Sequence, residues 1–275
     1  MTRHPRLMPN DPRTFEARVA RTRRLSRSFQ RVTLAGGDLD EFSYAGFDHW
    51  FRLFIPRAPG APFELPGVVG RSWWKPYLAL DEAVRPHCAN YTVAEVRATD
   101  AGVELDIDVV LHYESGELAA PVARWAATAE AGSPVAILDQ GLIFDPDMAA
   151  GPVVIACDET GLPAVRGILR RLDPEAHGVA ILEVPSADDR FELTAPDGIR
   201  VDWIARDGDH AVPGSAALAA VRSLGGLPPD SYAYVVGESS LATEGRRALH
   251  RAGLQKSRIV FSGYWKHSSG AELAQ

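Results

Sequence analysis

The chain has 275 residues with 46% hydrophobic and 24% charged content and a formal net charge of −7, enough apolar material for two modest domains. Its two cysteines, Cys88 and Cys157, exclude a disulfide scaffold, a cysteine-ligated iron–sulfur centre and a cysteine-type zinc site, and they fit a reducing cytoplasm. The acidic balance weighs against a nucleic-acid partner. The opening MTRHPRLMPNDPRT lacks the apolar stretch of a signal peptide, and no run is long enough to insert in a bilayer.

From 15 to about 140 the apolar segments are short and rich in β-branched and aromatic residues: FEARVART, FQRVTLAG, HWFRLFIP, NYTVAEVRA, VELDIDVVLH and PVAILD. Segments of this kind, bounded by Gly, Pro and Asp, predict an N-terminal antiparallel β-barrel. In the fifth segment Val103, Leu105, Ile107 and Val109 fall on one face. The arginines at 13, 18, 21, 23, 24, 27 and 31 interleave with Phe15, Val19, Leu25 and Val32. That pattern reads as the solvated outer face of strands, with a polyanion site as the alternative. Residues 57–75 are Pro/Gly-rich and predict a long loop. Helices are expected around 79–84 and over 121–132, the second ended by Gly132.

After about 150 the rhythm changes to strand–helix–strand. PVVIAC is followed by GLPAVRGILRRL, in which Leu162, Val165, Ile168, Leu169 and Leu172 recur at helical spacing. Strands are expected at 178–184, 199–204, 232–237 and 258–265, and helices at 215–224 and 240–252. Continuous apolar strands alternating with helices predict a C-terminal α/β domain with a parallel sheet covered on both faces. PDMAAG near 146–151 reads as a linker, dividing the chain into domains 1–147 and 148–275.

Common catalytic signatures are absent: there is no GxGxxG, no GxxxxGK[ST] and no HExxH. Gly237-Glu238-Ser239-Ser240-Leu241 lacks the second glycine of a nucleophile elbow, and the eight histidines show no metal-ligand spacing. Two strand-to-helix turns, Asp158-Glu159-Thr160-Gly161 and Gly237-Glu238-Ser239, are candidates to receive a ligand phosphate on backbone N–H groups. Helix capping by Thr160 or Ser239 is the alternative.

The succession RVTLAG, HWFRLFIP, RPHCANYTV, ELDIDVVLH, RWAATAEAGSPV, ACDETGLPA, GVAILEV, VVGESSLATEGRRAL and SGYWK, spanning about 15–267, resembles the siderophore-interacting proteins, with DETGLPA and GYWK its most specific pieces. The resemblance implies a ferredoxin reductase-like architecture with FAD on the barrel, NADPH or NADH on the second domain, and a ferric siderophore or another small molecule as partner. It implies that Tyr91 stacks on the isoalloxazine and Thr92 bonds its polar edge, beside Asn90. Val110, Leu111 and His112 also fall in the flavin region. The family's Arg-x-Tyr-Thr/Ser motif reads Ala89-Asn90-Tyr91-Thr92 here, and its Gly-Pro-x-Ser-Arg-Trp turn reads Ala120-Pro121-Val122-Ala123-Arg124-Trp125. Its glycine-rich turn reads Leu138-Asp139-Gln140-Gly141, placing a carboxylate where the cofactor is anionic. FAD would then bind through other groups, such as Arg85 or Arg124, or the site serves another ligand.

For the substrate, the resemblance implies a cationic patch of Arg52, Arg246 or Arg247, and Lys266, with Trp265 beside it. No side chain is expected to act as nucleophile, because the cofactor carries the redox chemistry. Three functions follow: an NAD(P)H-dependent ferric-siderophore reductase, a different enzyme on this scaffold with a rebuilt cofactor site, or a binding protein that has lost flavin.

Overall fold

A computed structural model describes residues 7–9, 12–114, 116–208 and 212–267; residues 1–6 of the polar opening stretch lie outside them. The chain divides into two compact units, one running to Leu142 and the other from Ile143.

The first unit contains β1 (Thr14–Arg24), β2 (Phe29–Ala35), β3 (Trp50–Ile55), α1 (Trp74–Ala79), β4 (His87–Thr92), β5 (Glu95–Thr99), β6 (Gly102–Val110), the short pair β7 (Tyr113–Glu114) and β8 (Glu117–Leu118), α2 (Pro121–Thr128) and β9 (Pro134–Asp139). Seven strands form one antiparallel sheet in the order β4-β3-β9-β1-β2-β6-β5. Its two edge strands, β4 and β5, are consecutive in sequence and joined through only Val93 and Ala94, both buried. The sheet must therefore curl until its edges approach, which makes an antiparallel half-barrel.

Alternation decides which side chains enter. On β1, Phe15, Ala17 and Val19 are buried, and on β6 Leu105, Ile107 and Val109 join them in the main core with Phe51, Leu53 and Ile55 of β3. The opposite face of β3 and β9 packs Phe54, Ala136 and Leu138 under Trp73 and Tyr77. The expected single segment at 90–98 is thus two strands, turned at Val93-Ala94. The helix expected around 79–84 forms earlier, at Trp74–Ala79, and takes in the last two residues of the predicted loop. Pro76 is tolerated there because first-turn N–H groups have no intrahelical partner. The helix at 121 stops at Thr128, and Gly132 takes a positive φ of 88° in the turn beyond it.

The arginine run lies on the outer face. Arg21 binds Glu104, Arg31 binds Asp106 and Asp108, and Arg13 binds Glu41. Arg18 and Arg24 donate to main-chain carbonyls. Acids thus pair with Arg13, Arg21 and Arg31 of the run, as suits the solvated outer face of strands.

The second unit contains β10 (Val153–Cys157), α3 (Leu162–Leu169), β11 (His177–Val184), β12 (Gly198–Ala205), α4 (Ser215–Arg222), β13 (Tyr232–Glu238), α5 (Ser239–Arg251) and β14 (Ile259–Trp265). The five strands are all parallel, in the order β12-β11-β10-β13-β14. The chain reverses its direction of travel across the sheet between β10 and β13, so the crevice outside their carboxyl ends is where an open α/β sheet binds ligands. Among the described residues no helix is long and apolar enough to cross a membrane.

Candidate functional site

In the half-barrel, β4 pairs with β3 so that His87, Ala89 and Tyr91 oppose Ile55, Leu53 and Phe51. Those three residues of β3 lie in the main core, and Ala89 and Tyr91 pack at its edge. Tyr91 is half-buried, and burial pushes its phenol well above the ordinary tyrosine range. It is therefore a neutral, fixed ring. Thr92 is buried, whereas Asn90 faces out and accepts a hydrogen bond from Arg52. Val110 and His112 are half-buried, and Leu111 is buried.

Helix α2 packs Val122, Ala123 and Ala126 into the same core, with Trp125 half-buried against it. Ala120 supplies no side-chain cap to its first turn. Arg124 donates through Nη1 to the carbonyls of Leu118 (2.8 Å) and Ala119 (3.1 Å). Arg85 donates through Nη2 to the carbonyls of Leu78 and Leu80, which closes the end of α1.

Asp139 does not project as expected. Its Oδ1 accepts from the Gly141 amide at 2.9 Å and contacts His49 Nε2 at 2.8 Å. His49 Nδ1 accepts from the Ala45 amide at 3.0 Å, so Nδ1 carries a lone pair and the ring proton sits on Nε2, facing the carboxylate. The imidazole stacks on Phe42 and on Tyr44, at 5.0 and 5.8 Å between centroids. Gly141 takes a φ of 69°, and a Cβ there would stand 2.0 Å from the Leu7 carbonyl oxygen. The turn is thus built around an inward carboxylate, which removes the expected clash with an anionic cofactor. A neutral half-buried ring, a helix start without a side-chain cap and an inward Asp139 fit FAD.

In the α/β unit the carboxyl ends of the strands carry buried acids. Asp158 Oδ1 accepts from the Thr160 amide (2.9 Å) and hydroxyl (2.5 Å). Its Oδ2 accepts from the Glu238 amide (2.6 Å) and from Trp265 Nε1 (3.2 Å). Glu238 in turn accepts from the amides of Ser240 and His267, and Ser239 Oγ donates to the Trp265 carbonyl at 2.7 Å. Glu183 accepts from the amides of Gly214 and Ala217 at the start of α4. Gly237 is required beside this cluster: its φ is 129°, and a Cβ would stand 2.6 Å from Asp158 Cγ.

These bonds correct the phosphate reading of the two turns. The amides of Thr160, Glu238 and Ser240 are already satisfied, and the caps are Asp158 and Glu238 rather than Thr160 or Ser239. Each carboxylate balances the partial positive charge of a helix start. The side chains of both turns are thus spent on capping, with Asp158 and Glu238 buried.

Burial, aided by repulsion from Glu159, pushes the Asp158 carboxyl up to about 6 against the pull of its hydrogen bonds. This folded value lies above the ordinary aspartate value of about 3.9. The contribution of Asp158 to stability is therefore fullest below about pH 4 and is lost as pH rises through about 6. Because Trp265 donates to it, the indole Nε1 proton resonance of Trp265 should titrate with a midpoint near 6. A flat response from pH 5 to 7 would contradict the assignment.

The cations of the expected substrate patch fall on both units. Arg52 lies over the rings of Trp50 and Trp73, at 5.2 and 5.0 Å from their centroids. On α5, Arg247 is paired with Glu244, whereas the Arg246 guanidinium lies over the Phe261 ring at 4.8 Å and its buried Nε has no hydrogen-bond partner. Trp265 is half-buried and Lys266 exposed. Arg206, just beyond β12, was not anticipated: it binds both Glu159 and Glu183.

Residues 18–142 match the siderophore-interacting FAD-binding domain and residues 150–268 the siderophore-interacting protein domain. The chain is 32% identical to an uncharacterized protein of Mycobacterium tuberculosis, over 93% of this chain and 91% of that one. It is 30% identical to the NADPH-dependent ferric-chelate reductase of Escherichia coli K12, over 96% and 97% of the two chains. A crystal structure of a siderophore utilization protein from T. fusca superposes with a TM-score of 0.77 at 27% identity, covering 97% of each chain. With a half-barrel and a parallel α/β unit matched in order and relatives of this identity along nearly its whole length, the chain belongs to the siderophore-interacting protein family.

Proposed function

We propose that the protein is a flavin-dependent ferric-chelate reductase that draws electrons from NADPH or NADH and delivers them to the Fe(III) of a siderophore. The observation that carries this reading is the flavin-type face of the half-barrel, where fixed, neutral Tyr91 and the start of α2 adjoin one core edge. It occurs in a chain resembling an NADPH-dependent ferric-chelate reductase along nearly its full length. Bound FAD supplies the chemistry that links a two-electron hydride donor to a one-electron metal acceptor.

The protein's share is orientation and charge. Tyr91 offers a ring face for stacking, and the Thr92 hydroxyl a hydrogen bond to the flavin edge. Asp158, Thr160, Gly237 and Glu238 shape the strand ends at the switch of strand order, the crevice where the nicotinamide nucleotide docks. On the α/β unit Arg246 and Lys266 supply positive charge toward an anionic ferric chelate, and Arg246 is preferred to Arg247 because Glu244 already neutralises the latter. Fe(II) binds hard oxygen donors weakly, so reduction releases the metal.

The test is direct. Purified protein supplied with FAD should retain it stoichiometrically and show a flavin spectrum. Anaerobic NADPH or NADH should bleach that spectrum, and a ferric siderophore should restore it with Fe(II) trapped by a chromogenic chelator. Protein that takes up no flavin would sink the proposal.

A further inference from the structure

Strand β14 ends at Trp265, and Lys266 and His267 carry the chain off the carboxyl edge of the α/β sheet. The neighbouring β13 follows it imperfectly: Gly237 pairs with Gly263 but Glu238 with Trp265, so Tyr264 is the extra residue of a bulge. A bulge interrupts regular pairing and re-aims the side chains that follow it. Tyr264 is pinned there through its hydroxyl, 3.0 Å from that of Tyr234. Beyond this point the ladder no longer fixes the backbone.

Side chains from the two strand-end turns take over. Asp158 Oδ2 accepts from Trp265 Nε1 at 3.2 Å, and Ser239 Oγ donates to the Trp265 carbonyl at 2.7 Å. Glu238 Oε1 accepts from the His267 amide at 3.2 Å. The close approach needs Gly263, where a Cβ would stand 2.9 Å from Ser239 Oγ. Asp158 and Glu238 are themselves fixed, because both are buried and each caps a helix start. Capping needs none of the bonds to residues 265 and 267. Those bonds hold the chain on both sides of Lys266, which is exposed. Fixing the backbone around a flexible lysine reduces the freedom its ammonium loses on meeting an anion.

We propose that Asp158, Glu238 and Ser239 are positioning residues for Lys266, holding the end of β14 in the conformation that meets an anionic ferric chelate. The proposal rests on the ferric-chelate reading above and goes further by giving the two strand-end turns a task toward the substrate.

A double-mutant cycle on the affinity for ferric enterobactin, an anionic tris-catecholate, tests it by equilibrium dialysis of the iron-labelled chelate. Lys266→Ala should weaken binding about ten-fold, as expected for one charge-assisted contact. The Trp265→Phe/Ser239→Ala variant keeps an aromatic ring at 265 and loses both bonds to that residue. It should weaken binding about five-fold with Lys266 in place, and less than about two-fold once Lys266→Ala is also present. A merely structural role would cost the same with and without Lys266→Ala, so equal losses would overturn the positioning role. No loss in the Trp265→Phe/Ser239→Ala variant would overturn it as well. Unchanged binding by Lys266→Ala would remove the lysine from the chelate site and the positioning role with it. Wild-type protein that binds no ferric enterobactin at all would count against the ferric-chelate reading itself.

Discussion

Replacing Arg206 by alanine should destabilise the α/β unit by ~3–5 kcal/mol, the cost of stranding buried carboxylates by removing their partner. The guanidinium binds Glu159 through both Nη atoms, at 2.9 and 2.8 Å, and Glu183 at 2.7 Å. Side-chain exposure is 10% for Arg206, 2% for Glu159 and 0% for Glu183, so water cannot replace the lost contacts. Glu183 retains the amides of Gly214 and Ala217, which is why the expected cost stops short of two fully stranded charges. Arg206→Lys should recover only part of it, because an ammonium cannot span both acids as a planar fork does.

Chemical unfolding at pH 7 measures the loss directly. A variant within about 1 kcal/mol of wild type at pH 7 would refute the account.

Much of the architecture was legible because it rests on local periodicity. Alternation on β6 and the continuous apolar runs of β10 and β13 are set by which faces are covered, and residues two or three apart record that. The misplaced α1 has an equally local reason. Pro76 and the Pro/Gly density before it suggest a loop, but a proline in the first turn leaves the helix intact, and burying Trp73 and Tyr77 against Phe54 draws the segment onto the sheet.

The candidate site was less legible because its decisive contacts are long-range. Arg206 meets acids 23 and 47 positions away, and His49 meets Asp139 across 90. No spacing rule links such residues. The capping role of Asp158 was within reach, since an aspartate at a strand end followed by a helix start is an N-cap signal, whereas glutamate, as at Glu238, is not a favoured cap. Reading Thr160 and Ser239 as the caps missed that the acids come first in the turn, where the geometry selects them.

In the half-barrel the corresponding keystone is Asp106, and Asp106→Ala should cost ~2–4 kcal/mol, toward the lower side of the range for breaking a buried ion pair. Its Oδ1 accepts from the Thr33 hydroxyl at 2.6 Å and from Arg97 at 3.0 Å, and its Oδ2 from Arg97 at 2.7 Å. Arg31 approaches Oδ2 at 3.2 Å. The carboxylate is 3% exposed and Arg31 14%, but Arg97 is 32% exposed and keeps Glu104 as a partner. Arg97 can therefore turn to Glu104 and water, whereas Thr33 and Arg31 lose a buried acceptor. The loss should depend on pH with a definite sign. Burial alone would raise the Asp106 carboxyl, but hydrogen bonds from Arg97 and Thr33 and the charge of Arg31 outweigh it and hold it below the ordinary aspartate range. A depressed folded value contributes stability that is complete above the unfolded value near ~3.9 and is lost as pH falls through the folded one. The gap between Asp106→Ala and wild type should thus persist unchanged from pH 7 to 5 and close only below the unfolded value near ~3.9. A gap that already narrows at pH 5 would mean that charge pairing is not what holds the outer face of β2, β5 and β6.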